Sequence, residues 1–156
     1  MEDEPKTSEN KRVLFVPVAV ATTIDNYLIL QLKQIKFADK PEQLQVITQE
    51  VSVYQPIIDE IIVAYPNLTE QMAALRQIHE RLWEIEDRKR MIEGGEDEEK
   101  MIVRLRSETN GLLEEYLALS RQVSKFNDQR ALIKKQINTI TNSAIEEIKS
   151  HKTINA

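Results

Sequence analysis

No cysteine occurs among the 156 residues, which excludes disulfides, thiolate metal sites and cysteine nucleophiles and leaves the redox compartment undetermined. Histidine is nearly absent as well: His79 and His151 are the only two, so acid–base chemistry would fall to carboxylates. Glycine (three residues) and proline (five) are scarce, as suits a helix-rich protein. Aromatic residues make up 5% of the chain, so a core here is built mainly from Ile and Leu. The longest apolar run, Val13 to Ala21, reaches about half the roughly 20 residues of a membrane-spanning helix and contains Pro17. The start Met1-Glu2-Asp3-Glu4-Pro5-Lys6 lacks the basic-then-apolar layout of a secretory signal. No membrane association is expected, and the expected location is the cytoplasm, or a virion if the chain is viral. Phosphate-binding loop, dinucleotide fingerprint and nucleophile elbow are all missing, and no cofactor is expected.

What is present is 41% hydrophobic and 30% charged residues, rich in Glu, Gln, Lys, Arg and Leu, enough for one soluble helical domain. The formal net charge of −5 favours solubility and weighs against broad nucleic-acid binding. From Arg121 onward seven cations face three acids, while the middle of the chain is acidic, so helices of opposite charge attract one another within the fold. Arg121, Lys125, Lys134 and Lys135 form a local basic face without aromatic platforms, and nucleic acid is not an expected partner.

The strongest pattern lies between Leu112 and Ile140. Leu112, Tyr116, Leu119, Val123, Phe126, Arg130, Ile133, Ile137 and Ile140 follow one another at steps of four and three. Such a heptad seam predicts a long helix that buries one stripe against a partner helix. Leu75, Ile78, Leu82, Ile85, Lys89 and Ile92 repeat the alternation upstream, so the two helices are expected to zip together within or between chains.

Residues 1–11 are polar and are expected to be a mobile tail, residues 12–151 a single helical domain, and residues 152–156 a second tail. Val13 to Val20 is β-branched, and Pro17 confines it to an extended arm lying across the helices or pairing with another chain. Thr22 or Thr23 is expected to cap a first, doubly covered helix through Ile35. Asp39, Pro41 and Glu42 form a cap, first-turn proline and capping-box set for a second helix. Pro56 predicts a kink or break near Tyr54, and Pro66-Asn67 an end. Asn67-Leu68-Thr69, although a sequon, reads as a turn with Thr69 capping a third helix to about Glu93. Gly94-Gly95 is the clearest break. Met101, Ile102 and Leu105 suggest a short helix, Asn110-Gly111 introduces the long one, and a last turn or two is expected from Ser143 to Lys149, with Ile145 and Ile148 packing back.

Metal motifs fail. His79-Glu80 begins like the zinc-protease helix, but Trp83 stands where a second histidine is needed, and Arg76 breaks the di-iron pattern. His79 alone reads as ordinary surface. Two polar clusters remain: Glu84, Glu86 and Asp87 after Trp83, and Asn127, Asp128 and Arg130 within the seam. Arg130 at an apolar position requires a carboxylate partner, and Glu86 or Asp87 is expected to supply it, either as a register-fixing pair or as part of a polar pocket.

The same clusters carry a resemblance. Leu82-Trp83-Glu84-Ile85-Glu86-Asp87-Arg88-Lys89-Arg90 is similar to the L-W-x-I-E-D-x-x-R signature of the uncharacterised family of domain of unknown function 6165. Asn127-Asp128-Gln129-Arg130-Ala131, Lys134 and Ile137-Asn138 match its N-D-x-R-A-x-x-K-x-x-I-N block. Weaker matches are Ile24-Asp25, Ile29-Leu30 and Lys33 near the start, with Asn26, Leu28 and Gln31 departing. Near the end Ser143, Glu147 and Lys149-Ser150 match, while Asn142, Ile148 and His151 depart. The resemblance covers about residues 18–151, and the link from Gly94 to Leu113 is longer than in that family. It implies a bacterial, phage or large-virus origin and an accessory role in glycan assembly. It also implies that Asp25, Lys33, Glu86, Asp87, Asn127, Asp128, Arg130, Lys134 and Asn138 converge at one end of a helical bundle.

The expected fold is therefore all-α: an antiparallel, coiled-coil-like hairpin of residues 69–93 against 112–141, with two earlier helices packed on it. The expected function is a non-enzymatic structural or interaction protein, such as a viral assembly component, forming a homo-oligomer or binding a protein partner. The alternative is a small enzyme or ligand-binding accessory factor in glycan assembly using the polar cluster.

Overall fold

A computed structural model of the protein describes residues 12–147. Five α-helices and one 3-10 turn account for about four-fifths of it: α1 (Val20–Lys36), α2 (Pro41–Ala64), the turn Pro66–Leu68, α3 (Thr69–Glu93), α4 (Glu98–Ser107) and α5 (Leu112–Ile140). No β-strand occurs among the described residues, and none of these helices is long and apolar enough to cross a membrane. The fold is all-α. The two expected tails, the end of the expected last turn with Ile148, and the match at Lys149-Ser150 with its departures at Ile148 and His151, lie outside the described residues.

α1 is the central element. Its Ala21, Ile24, Tyr27, Leu28, Leu30 and Leu32 are all buried, and it packs against α2, α3 and α5. Ile58 of α2, Leu68, Met72 and Leu75, and Ile137 of α5 complete one apolar cluster with it. Burying each of these large aliphatic side chains stabilises the fold by about 1.5–3 kcal/mol, which supplies what isolated helices lack.

α3 and α5 run antiparallel. At one end Tyr116 Oη donates to Glu93 Oε1 at 2.9 Å, and Arg88 grips Glu115 with two hydrogen bonds of 2.6 and 2.9 Å. At the other end Met72 and Leu75 share the core cluster with Ile133, Ile137 and Ile140. The seam residues of both helices are buried or half-buried, so they are closed within the chain. α4 covers the tip, where Met101 and Leu105 join Ile92 in a second cluster against Leu112, Leu113, Tyr116 and Leu119.

The breaks follow from local chemistry. Gly94 ends α3 at φ 62°, the left-handed conformation that glycine adopts without a Cβ clash, and its N–H bonds Arg90 O at 3.1 Å. Asp97 caps α4 by accepting from Lys100 N at 2.9 Å.

Several local expectations are corrected. Of the kink or break expected near Tyr54, the break does not occur: α2 continues through Pro56; Pro56 is exposed, and the packed face on either side, with Val51, Tyr54, Ile58 and Ile61, outweighs one lost backbone bond. The N-cap of α2 is Lys40 without a side-chain bond, not Asp39, although Pro41 does open the helix. Thr69 is the first residue of α3 and not its cap; its Oγ1 donates to Pro66 O at 3.0 Å. Neither Thr22 nor Thr23 caps α1, whose cap residue is Ala19. The arm does not lie across the helices: Val13, Leu14, Phe15, Val16 and Val18 are all exposed. Residues 143–147 are not helical and Ile145 is exposed, because this segment spends its polar groups on the start of α1.

Candidate functional site

α1 presents Asp25 in its second turn, and α5 presents Arg130, Lys134 and Asn138 at steps of four, hence on one face. Asp25 is only 1% exposed. Arg130 Nε donates to both carboxylate oxygens, at 3.0 and 3.1 Å, and a terminal guanidinium nitrogen of Arg130 bonds Oδ2 at 2.5 Å. His79 of α3 places Nε2 2.8 Å from Oδ1, and Lys134 Nζ lies 3.7 Å from Oδ2. One carboxylate thus ties α1 to both α3 and α5.

Burial pushes the Asp25 carboxyl up, but hydrogen bonds from His79 and Arg130, with the charge of Arg130, outweigh it and hold the group at about 2, below its ordinary 3.8. An ionised carboxylate only accepts, so His79 Nε2 is the donor in its pair. His79 is 5% exposed and is part of the core, not a surface residue.

A second set of bonds seals the start of α1. That helix has no acidic residue in its first turn and no side-chain cap of its own. Asn138 Oδ1 accepts from Ala21 N at 2.9 Å and Ser143 Oγ from Val20 N at 3.1 Å, so capping is supplied by groups more than 100 residues away in the chain. Asn142 turns the chain at φ 50°, which brings Ser143 and Glu147 back over α1. Glu147 accepts from Thr22 Oγ1 at 2.9 Å and Lys134 Nζ at 2.7 Å. The Lys134 bond, followed by the Thr22 bond, lowers the Glu147 pKa, and its negative charge suits the positive end of the α1 dipole.

Beside this network runs a cleft of about 780 Å³, lined by Asn127, Asp128, Arg130, Lys134, Asn138, Glu146 and Glu147, among others. Six of the nine expected site residues therefore gather: Asp25, Arg130, Lys134 and Asn138 in the network, with Asn127 and Asp128 on the same cleft. The other three do not. Glu86 lies 3.7 Å from Lys89 and Asp87 3.9 Å from Arg90, both within α3. Lys33 is two turns beyond Asp25 along α1 and is half-buried.

The expected partnership of Arg130 with Glu86 or Asp87 is thus corrected to Asp25. The antiparallel register explains why. Tyr116 is level with Glu93; moving 14 residues along α5 to Arg130 moves 14 residues back along α3, to His79, about 21 Å from Glu93. Glu86 lies about halfway along that distance. His79, Thr22, Ser143 and Glu147 are the members of the network that the polar clusters in the sequence did not point to.

Among the described residues no group of three or more His, Asp or Glu side chains is placed to hold a metal ion. No protein family, no curated protein and no solved structure matches this chain.

Proposed function

We propose that the protein is a non-enzymatic structural or interaction protein, a helical scaffold that assembles with other protein chains, as a viral assembly component does. One observation carries the reading: the polar residues that could have formed a reactive centre are spent on one another. The Asp25 carboxylate is almost fully buried and its acceptor sites are taken by Arg130 and His79, which suits a device that fixes the register of three helices. Membership of the family of domain of unknown function 6165 is part of the same proposal, supported by the shared cleft of Asn127, Arg130, Lys134 and Asn138 from its second motif block. The test is a double variant, Asp25→Asn with Arg130→Met, judged by helical content and by mass in solution. A folded variant with the wild-type mass is expected. A folded variant that has lost its assembly would show that the pair does more than hold the helices together.

A second reading has one observation in its favour. The 780 Å³ cleft brings Asn127, Asp128, Arg130, Lys134 and Asn138 to one solvent-facing wall, the kind of polar lining that suits a saccharide ligand of a glycan-assembly factor. Saturable calorimetric binding of a glycan or nucleotide-sugar, lost in Asn127→Ala, would favour it over the scaffold.

A further inference from the structure

Among the described helices, α2 leaves an apolar stripe uncovered. Val46, Val53 and Ile57 are 64%, 66% and 47% exposed, and they fall with Glu50, Glu60 and Ala64 on a single row at steps of four and three. The inward face of the same helix carries Ile47, Val51, Tyr54, Ile58 and Ile61. α2 is therefore apolar on two faces, and the fold covers only one of them. Its charge is one-sided too: Glu42, Glu50, Asp59 and Glu60 are its only charged residues, with no Lys or Arg from Pro41 to Ala64. Two α2 stripes facing each other would set glutamates against glutamates, so the stripe does not fit its own copy.

α5 carries the counterpart. Leu117, Arg121, Lys125, Leu132 and Lys135 are exposed and follow a row that includes Asp128, and its Asp128, Leu132 and Lys135 form part of the rim of the 780 Å³ cleft. Leu117 and Leu132 are 46% and 64% exposed. This row is net basic where the α2 row is acidic. Each row runs over 19 residues, about 27 Å of helix from end to end, so the two match in length and offer both apolar contact and opposite charge.

The geometry points to a docking surface: the acidic-edged apolar stripe of α2 receives the basic outer face of α5 from a second copy of this chain. The inference rests on the proposed scaffold function and names the surface through which it assembles. Because the two faces differ, the contact closes as a pair when each copy offers both, or propagates from copy to copy.

Light scattering on the full chain tests this with two charge-reversed variants, Glu50→Lys/Glu60→Lys and Arg121→Glu/Lys125→Glu. All four positions are exposed and none of their side chains makes an ion pair among the described residues, so helical content is expected to stay at the wild-type level. At a concentration where the wild type associates, each variant alone is expected to scatter as a single chain, since like charges then meet across the contact. An equimolar mixture is expected to regain association, because each variant supplies the face that complements the other. Val53→Ser is expected to weaken association without any change of charge. Association of each variant as strong as the wild type's, or a mixture that stays single-chain, overturns the α2–α5 contact while leaving the scaffold reading standing. A wild type that is a single chain at every concentration overturns both.

Discussion

Arg130→Met is the perturbation whose magnitude the structure sets best. It removes the guanidinium that makes three of the contacts to Asp25 and leaves a 1%-exposed carboxylate with His79 and a lysine 3.7 Å away. Stranding a buried charge costs about 3–5 kcal/mol. The depressed pKa of Asp25, about 2 against 3.8, corresponds to about 2–3 kcal/mol as the net of its partners' attraction over the cost of burying the charge. A loss of about 2–4 kcal/mol is therefore expected, or roughly 5–15 °C in melting temperature for a chain of this size. Adding Asp25→Asn removes the stranded charge, so the double variant should be less destabilised than the sum of the singles by about 1–3 kcal/mol. As a control, Arg81→Ala breaks only the Glu84 pair, whose side chains are 51% and 60% exposed, and is expected to change stability by less than about 1 kcal/mol. Urea unfolding followed by circular dichroism reads all four. The reasoning is refuted if Arg130→Met unfolds within about 0.5 kcal/mol of the wild type, or if the two single effects simply add.

Acid unfolding probes the same carboxylate. Because the folded pKa lies below the unfolded value, its stabilisation is present above about pH 4 and is lost as pH falls from 3.8 toward 2; Asp25→Asn should flatten that limb of the stability profile, and an unchanged slope would contradict the assignment. Asn138→Ala strands the Ala21 N–H and is expected to cost about 1–3 kcal/mol in urea unfolding, with no loss meaning that the remote cap is idle. Pro56→Ala restores a backbone donor inside α2 and is expected to stabilise by about 1–3 kcal/mol; a lower unfolding midpoint would show that the proline shapes the helix.

The long elements were legible in the sequence because their signals are periodic: the seam of α5, the matching row of α3, and glycine at position 94 are local patterns with local causes. Pro56 misled because the propensity of one residue was set against packing contacts that no sequence window contains. The partner of Arg130 could not be read from residue types, since Glu86, Asp87 and Asp25 are chemically equal candidates. What separates them is register, and the pairing of Tyr116 with Glu93 becomes available only once the hairpin is closed. His79 stood beside Ile78 on the inward row of α3, and counting back along that register would have found it. The caps on α1 come from Asn138 and Ser143; both were singled out by the motif resemblance, but no local pattern tells that they cap a helix more than 100 residues earlier.

The most direct test of the scaffold proposal is the mass of the wild-type protein in solution, by light scattering over a range of concentrations and at two salt concentrations. Self-assembly through the α2 and α5 faces predicts a mass above the 18.1 kDa of one chain that rises with protein concentration and falls with added salt, as charge attraction is screened. A constant 18.1 kDa under every condition would contradict self-assembly and turn attention to the cleft beside Arg130.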